Sequence, residues 1–237
     1  MEGAGAAVVQ GLADGDVAAE VERQVVAGVA QLLPAGVVVG QMYRSGGIDR
    51  SADMFFEADA ATTDALLNRL AEHARPMIVS HGGVAVGVVS PNTSRAVRAA
   101  LLSGADAVKI DVSSSTDHIF YAFHDGTEPE LLGVEENIQT LPAATIAGLS
   151  YQQRNRPGHP ARVERLASVL SDFRGKDVLF ALDRSWWRWP TLLKVLDGLQ
   201  MTEQCLLKVP AWEFSALGKL KAHKVKYPTL AICSTEE

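Results

Sequence analysis

The stretch GADAVKIDVSSSTDHIFYAFHD, residues 104–125, reads as two short strands joined by a polar turn, the second running into His124-Asp125. Side chains alternate across a strand, so Ala107, Lys109 and Asp111 share one face of the first and Phe120, Ala122 and His124 one face of the second. Upstream, MIVSH at 77–81 puts Met77, Val79 and His81 on one face, and downstream VLFALD at 178–183 ends on Asp183. Each strand therefore delivers a polar residue to its C-terminal end. In a (β/α) barrel those ends line the active-site mouth. A lysine two residues from an aspartate at such a mouth is the feature to be explained.

Working outward, strands alternate with helices at roughly 25-residue spacing, which predicts an α/β fold with a parallel sheet, a TIM-type (β/α) barrel or a doubly wound domain. Residues 1–15 are rich in Gly and Ala and are expected to form a flexible N-terminus, leaving 16–237 as a single barrel domain. A helix is expected over 17–33, a strand at VVVG (37–40), a loop over YRSGGIDRSAD (43–53), a strand at MFFEA (54–58) and a helix over 62–74. SPNTSRAVRAALLSGA (90–105) predicts a helix entered through Pro91-Asn92-Thr93 and closed by Gly104. Further helices are expected over 159–175, around 191–199 and in the basic stretch before the last strand, and further strands at CLLKV (205–209) and TLAICS (229–234). The strands from residue 77 onward fall short of the eight of a closed barrel. The N-terminal segment either completes the barrel or leaves it irregular or incomplete, with exposed edges that favour association with another copy of the chain.

Composition narrows the function. Hydrophobic residues make up 47% and charged residues 21%, ordinary for a globular protein with a large core. The net charge of -6, with no basic run, argues against a nucleic-acid surface. Cys205 and Cys233 lie in apolar strand-like runs and read as buried free thiols. The start has neither a basic segment nor a sustained apolar one, and no apolar run approaches the ~18 residues that span a bilayer. A cytoplasmic protein without a transmembrane segment is expected.

The residues SHGG, SPNT, AVRAALLSGADAVKIDV and TDHIFYAFHD, in that order, resemble the glycerophosphodiester phosphodiesterase family of the phosphatidylinositol-phospholipase-C-like barrels. TLPAATIAGLS (140–150) resembles the threonine-led helix that follows in that family. The similarity covers residues 77 to 150 and fades afterward. It implies a barrel enzyme in which His81 and His124 act as acid and base on a phosphodiester attacked by the substrate's own hydroxyl. Imidazole titrates near neutrality, so one ring can accept a proton while the other donates. It also implies a divalent cation, Mg or Ca, with Asp111 matching one ligand and Asp183 standing near another.

Three departures alter that expectation. The family's phosphate-binding arginine is Gly82 here, the glutamate of its Pro-Glu-Asn is missing because Pro91 is followed directly by Asn92, and the glutamate of its Glu-x-Asp is Lys109. Loss of carboxylates and gain of an ammonium should weaken the binding of a hard cation. Lys109 then reads either as a fixed positive charge in the metal's place, facing phosphoryl oxygens, or as a buried ion pair in a site that has lost its activity. Lys208 in LLKV is a second candidate phosphate ligand, or a strand-end lysine extending to solvent. Trp186, Trp187 and Trp189 in SWWRWP either wall a substrate pocket or pack the loop. Three functions stay open at this point: a phosphodiesterase with an altered metal site, a non-catalytic barrel that binds a partner, and acid/base chemistry on a non-phosphate substrate.

Overall fold

The computed structural model describes residues 78–152 and 160–234, together with the backbone of Val8–Gln10, Val39–Arg44 and Arg50–Asp53. The chain divides into two compact units, Met77–Leu206 and a second made of Met1–Pro76 with Leu207–Glu237.

In the unit Met77–Leu206, three strands run parallel: β4 (Val79–His81), β5 (Ala107–Ser114) and β7 (Leu179–Asp183). The register pairs His81 with Lys109 and, across β5 and β7, Asp111 with Asp183. Val108, Ile110 and Val112 are all but fully buried. The opposite face of β5 is also enclosed, as expected of a parallel strand covered on both sides.

Helix α1 (Ser94–Leu102) links β4 to β5. Thr93 starts it from an extended backbone, and its hydroxyl oxygen accepts the Ala96 N–H at 3.2 Å while its O–H donates to Ser90 O. Such a cap stabilises a helix by about 1 kcal/mol. Ala96, Val97 and Ala100 form the buried stripe. The turn after His81 approaches this helix so closely that a Cβ on Gly83, at φ +76, would lie 2.5 Å from the Ala96 carbonyl carbon. Glycine is required there both by contact and by backbone conformation.

The second strand of the decisive stretch, β6 (Phe120–Ala122), corrects the sequence expectation. It pairs with β5 antiparallel, Val112 opposite Ala122 and Ser114 opposite Phe120, so it is the return arm of a hairpin and not a strand of the parallel ladder. Helices α2 (Glu128–Leu131) and α3 (Ala143–Ile146) follow it. The hairpin packs with them in a core of Tyr121, Phe123, Ile138, Ile146, Tyr151 and Val163. The helix expected over 159–175 is shorter, α4 (Leu166–Ser171). Residues before it are held extended: Arg165 bridges Tyr121, Arg162 bridges Ser150, and Ala122 N–H donates to Glu164 O. Beyond β7 come a 3-10 turn, Trp186–Arg188, and α5 (Thr191–Leu199).

The second unit contains β1 (Val8–Gln10), β2 (Val39–Arg44), β3 (Arg50–Asp53), β8 (Cys205–Pro210) from Leu207 onward, α6 (Phe214–Ala222) and β9 (Thr229–Ser234). β8 and β9 are parallel, β1 and β2 are parallel, and β3 runs antiparallel to both β2 and β9. The loop expected over 43–53 is thereby corrected: Tyr43 and Arg44 belong to β2, and Arg50–Asp53 is a strand, too polar to show apolar alternation. Val8–Gln10, within the stretch expected to be flexible, is also paired. The helices expected over 17–33 and 62–74, the strand at 54–58 and Met77 lie outside the described residues. Among the described residues no helix is long and apolar enough to cross a membrane. Cys205 is a buried free thiol that burial pushes up to about 12.

Candidate active site

Parallel pairing of β4, β5 and β7 brings His81, Lys109, Asp111 and Asp183 into one cluster. The Lys109 ammonium lies 2.6 Å from Asp111 Oδ1 and 3.1 Å from Asp183 Oδ2. Its side chain is 12% exposed, Asp111 is 2% exposed and Asp183 11%. The third ammonium contact is His81 Nε2 at 3.0 Å. An ammonium can only donate, so at this contact the imidazole offers its lone pair. Asp111 Oδ2 stands 3.5 Å from the same nitrogen. The neutral ring therefore accepts from Lys109, and a protonated ring would donate to Asp111, so His81 has a partner in either state. The ring itself is 65% exposed.

Asn92, absent from the sequence-derived site, holds Asp111 in place. Its Nδ2 donates to Asp111 Oδ2 at 3.3 Å and its Oδ1 accepts the Asp111 N–H at 3.1 Å. The backbone of Asn92 is left-handed, φ 56, a conformation asparagine tolerates better than most residues. Burial alone would push the Asp111 carboxyl up, but the His81 hydrogen bond and the Lys109 ammonium outweigh it and hold the group well below the usual carboxylate range. Tyr151 is buried nearby and donates its hydroxyl to Pro91 O, and burial pushes it up, helped by the negative Glu164 and Asp111.

His124 enters from the hairpin. Phe123 N–H donates to Asp111 O at 2.9 Å, which fixes the chain one residue before the ring. His124 Nδ1 lies 2.9 Å from Asp125 O, and a carbonyl only accepts, so Nδ1 carries the proton and Nε2 of the neutral ring carries the lone pair. Thr127 Oγ1 donates to His124 O, and the buried Glu128 carboxylate accepts from Gly126 N and Ile138 N. A protonated His124 ring would also help hold the Asp111 carboxyl down.

A divalent cation needs several oxygen ligands. Asp111 and Asp183, the two residues matched to such ligands, both face the Lys109 ammonium. Among the described residues no group of three or more His, Cys, Asp or Glu could hold a metal. The donor set does not fit the cation that the family resemblance implies.

Trp189 is buried, 2% exposed, with its indole N–H donating to Ser185 Oγ, so it packs the loop. Trp186 and Trp187 form an edge-on pair with centroids 4.8 Å apart, Trp187 being exposed. Lys208 is buried on β8, in register with Leu230, and belongs to the second unit.

No curated protein matches the chain. Among solved structures, a glycerophosphodiester phosphodiesterase from Agrobacterium tumefaciens is 24% identical with a TM-score of 0.51, over 62% of this chain and 63% of that one. A structure from Silicibacter pomeroyi is 20% identical with a TM-score of 0.53, over 70% of this chain and 67% of that one. A third, from Parabacteroides distasonis, is 16% identical with a TM-score of 0.52, over 65% of this chain and 53% of that one. The chain thus spans about two thirds or less of these structures, and the likeness is one of fold, the α/β barrel class expected from the sequence. The model of the glycerophosphoryl diester phosphodiesterase family matches residues 82–230, more than half of the chain. By that match the chain belongs to the glycerophosphoryl diester phosphodiesterase family.

Proposed function

We propose that the chain cleaves a glycerophosphodiester or related phosphodiester by two-histidine acid/base catalysis, with Lys109 in the place of a metal. The observation that carries this reading is the Lys109 ammonium between two carboxylates and 3.0 Å from His81 Nε2. Once His81 Nε2 carries a proton it no longer accepts from Lys109, and the N–H so released can face a phosphoryl oxygen as charge develops on it, without a bound ion.

His124 begins as the base. Its Nδ1–H is engaged by Asp125 O, leaving the Nε2 lone pair to take a proton from the substrate hydroxyl adjacent to the phosphodiester. That oxygen bonds to phosphorus, and the bond from phosphorus to the leaving alcohol breaks. His81 begins as the acid: its protonated Nε2 has Asp111 beside it and delivers the proton to the departing alkoxide. The product is a cyclic phosphate. With a well-positioned water the roles reverse, His81 taking the water proton and His124 returning its own to the ring-opened alcohol, to give glycerol phosphate.

The test is phosphorus NMR of the protein with a panel of glycerophosphodiesters and lysophospholipids, with and without chelator. Cleavage that survives chelation and disappears in His81→Ala supports the reading; cleavage abolished by chelator overturns the metal-free part of it. A second reading, a barrel that binds a partner or a ligand other than a phosphodiester without cleaving it, is favoured by the two carboxylates on Lys109, which outnumber its single positive charge. Ligand binding without cleavage under either condition would select it.

A further inference from the structure

Arg184 and Asp125 are unassigned by the reading above, yet they join the two halves of the cluster. Arg184 directly follows Asp183 at the end of β7, with its backbone in the left-handed region at φ 57. Its Nε donates to Asp125 Oδ1 at 2.8 Å and its Nη2 to Asp125 Oδ2 at 3.1 Å, a two-point fork. Gln139 Nε2 donates to Asp125 Oδ2 at 2.8 Å from a third element. The peptide carbonyl of the same Asp125 accepts His124 Nδ1–H.

We propose that Arg184 is a positioning residue that acts through Asp125 to fix the tautomer and orientation of His124. The inference rests on the acid/base role of His124 given above. A planar guanidinium paired at two points determines the direction of a carboxylate as well as its distance. With the Asp125 side chain clamped by Arg184 and Gln139, its main-chain carbonyl has little freedom to swing away from Nδ1. The half-buried setting strengthens the clamp: the Arg184 and Asp125 side chains are 34% and 12% exposed. The hydrogen bond from Arg184 to Asp125 pushes the guanidinium further up, as an engaged donor should be. A bulky residue in the left-handed region is strained, and strain of that kind is retained where surrounding contacts over-determine it. Arg184 N–H adds one such contact by donating to Asp183 Oδ1 at 2.8 Å.

The same fork couples the two carboxylate-bearing segments. Asp183 contacts Lys109, and Arg184, next in sequence, contacts the residue next to His124. Lys109 and His124 are in this way referred to one backbone segment at the end of β7. An error in the placement of either ring nitrogen of about 1 Å costs on the order of 100-fold in rate.

The test reads the imidazole directly and does not depend on turnover. Nitrogen-15 NMR of His124 is recorded above the imidazole titration range in the wild type, Arg184→Gln, Arg184→Lys and Asp125→Asn. The wild type is expected to show protonated Nδ1 and unprotonated Nε2 as a single tautomer. In Arg184→Gln the two shifts should move toward an average, with Arg184→Lys between them because it keeps the charge and loses the fork. If Arg184→Gln fails to fold, Asp125→Asn carries the test, since it leaves the accepting carbonyl intact. A folded Arg184→Gln or Asp125→Asn with the wild-type signature overturns the inference. Where the wild type turns over substrate, kcat should fall about 100-fold with KM little changed. A tautomer shift in a protein that cleaves nothing upholds the positioning role and overturns the phosphodiesterase reading instead.

Discussion

Asp111 and Asp183 stand directly opposite each other in the parallel register of β5 and β7, two acids at neighbouring positions with the Lys109 ammonium reaching both. Like charges placed directly across strands repel. The lysine turns that pair into an ion triad, and its enclosure makes the arrangement depend on all three members.

Lys109→Met should therefore unfold at a lower temperature, by a loss on the order of 3–5 kcal/mol, because it leaves two enclosed carboxylates without their cation. Lys109→Glu should respond to metal as the wild type does not. Adding Mg2+ is expected to raise the Tm of Lys109→Glu, where three carboxylates would meet, and to leave the wild-type Tm unchanged. Thermal melts with chelator and with Mg2+ decide both points.

The acid limb of stability follows from Asp111. Its folded carboxyl is held below the ordinary aspartate value of 3.8, so the unfolded chain takes up the proton first as pH falls. The stabilisation is fully present above that value and is lost as the pH drops through it toward the depressed native one. In Lys109→Met the depression weakens, so the gap in Tm between wild type and variant should be widest near neutrality and narrow on acidification. Thermal melts across the acidic range would measure it, and a gap independent of pH would refute the assignment.

Asn92→Ala should cost about 1–3 kcal/mol, since it removes one bond to the buried Asp111 carboxylate and another from the Asp111 backbone N–H. Asn92→Asp should be worse at neutral pH, where a second negative charge faces Asp111, and should recover on acidification. Urea midpoints at two pH values separate the variants.

His81→Ala and His124→Ala are each expected to lower kcat by about 10²–10⁴-fold if phosphodiester cleavage is the reaction. Because the two rings pass one proton inventory between them, the double variant should fall well short of the product of the single losses. Abundant turnover by the double variant would sink the two-histidine scheme.

Much of the cluster was legible because its spacing is local. Lys109 and Asp111 are two apart on a strand, and alternation alone puts them on one face. The parallel sheet was legible from strand and helix alternation. The orientation of β6 was not, since Phe120, Ala122 and His124 alternate identically whether the strand runs with or against its neighbour. Nor was the extended run before Leu166: Arg162 and Arg165 fit a helical pattern, and their bridges to Ser150 and Tyr121, with the Ala122 N–H bond to Glu164 O, override it. Arg184 and Asp125 are 59 residues apart and carry no periodic signal. The His124-Asp125 dipeptide marks the place, but nothing in it names a partner. Asn92 was visible only as part of a helix entry, a role it shares with its contact to Asp111.

A charge carried on the chain differs from one carried by an ion in what it asks of the surroundings. The Lys109 ammonium is present once per molecule from synthesis onward, cannot exchange for a neighbour in the periodic table, and has no dissociation constant to be met by the local supply of cations. Ion scarcity or competition cannot empty the position between Asp111 and Asp183, and only substitution or chemical modification of that one side chain can.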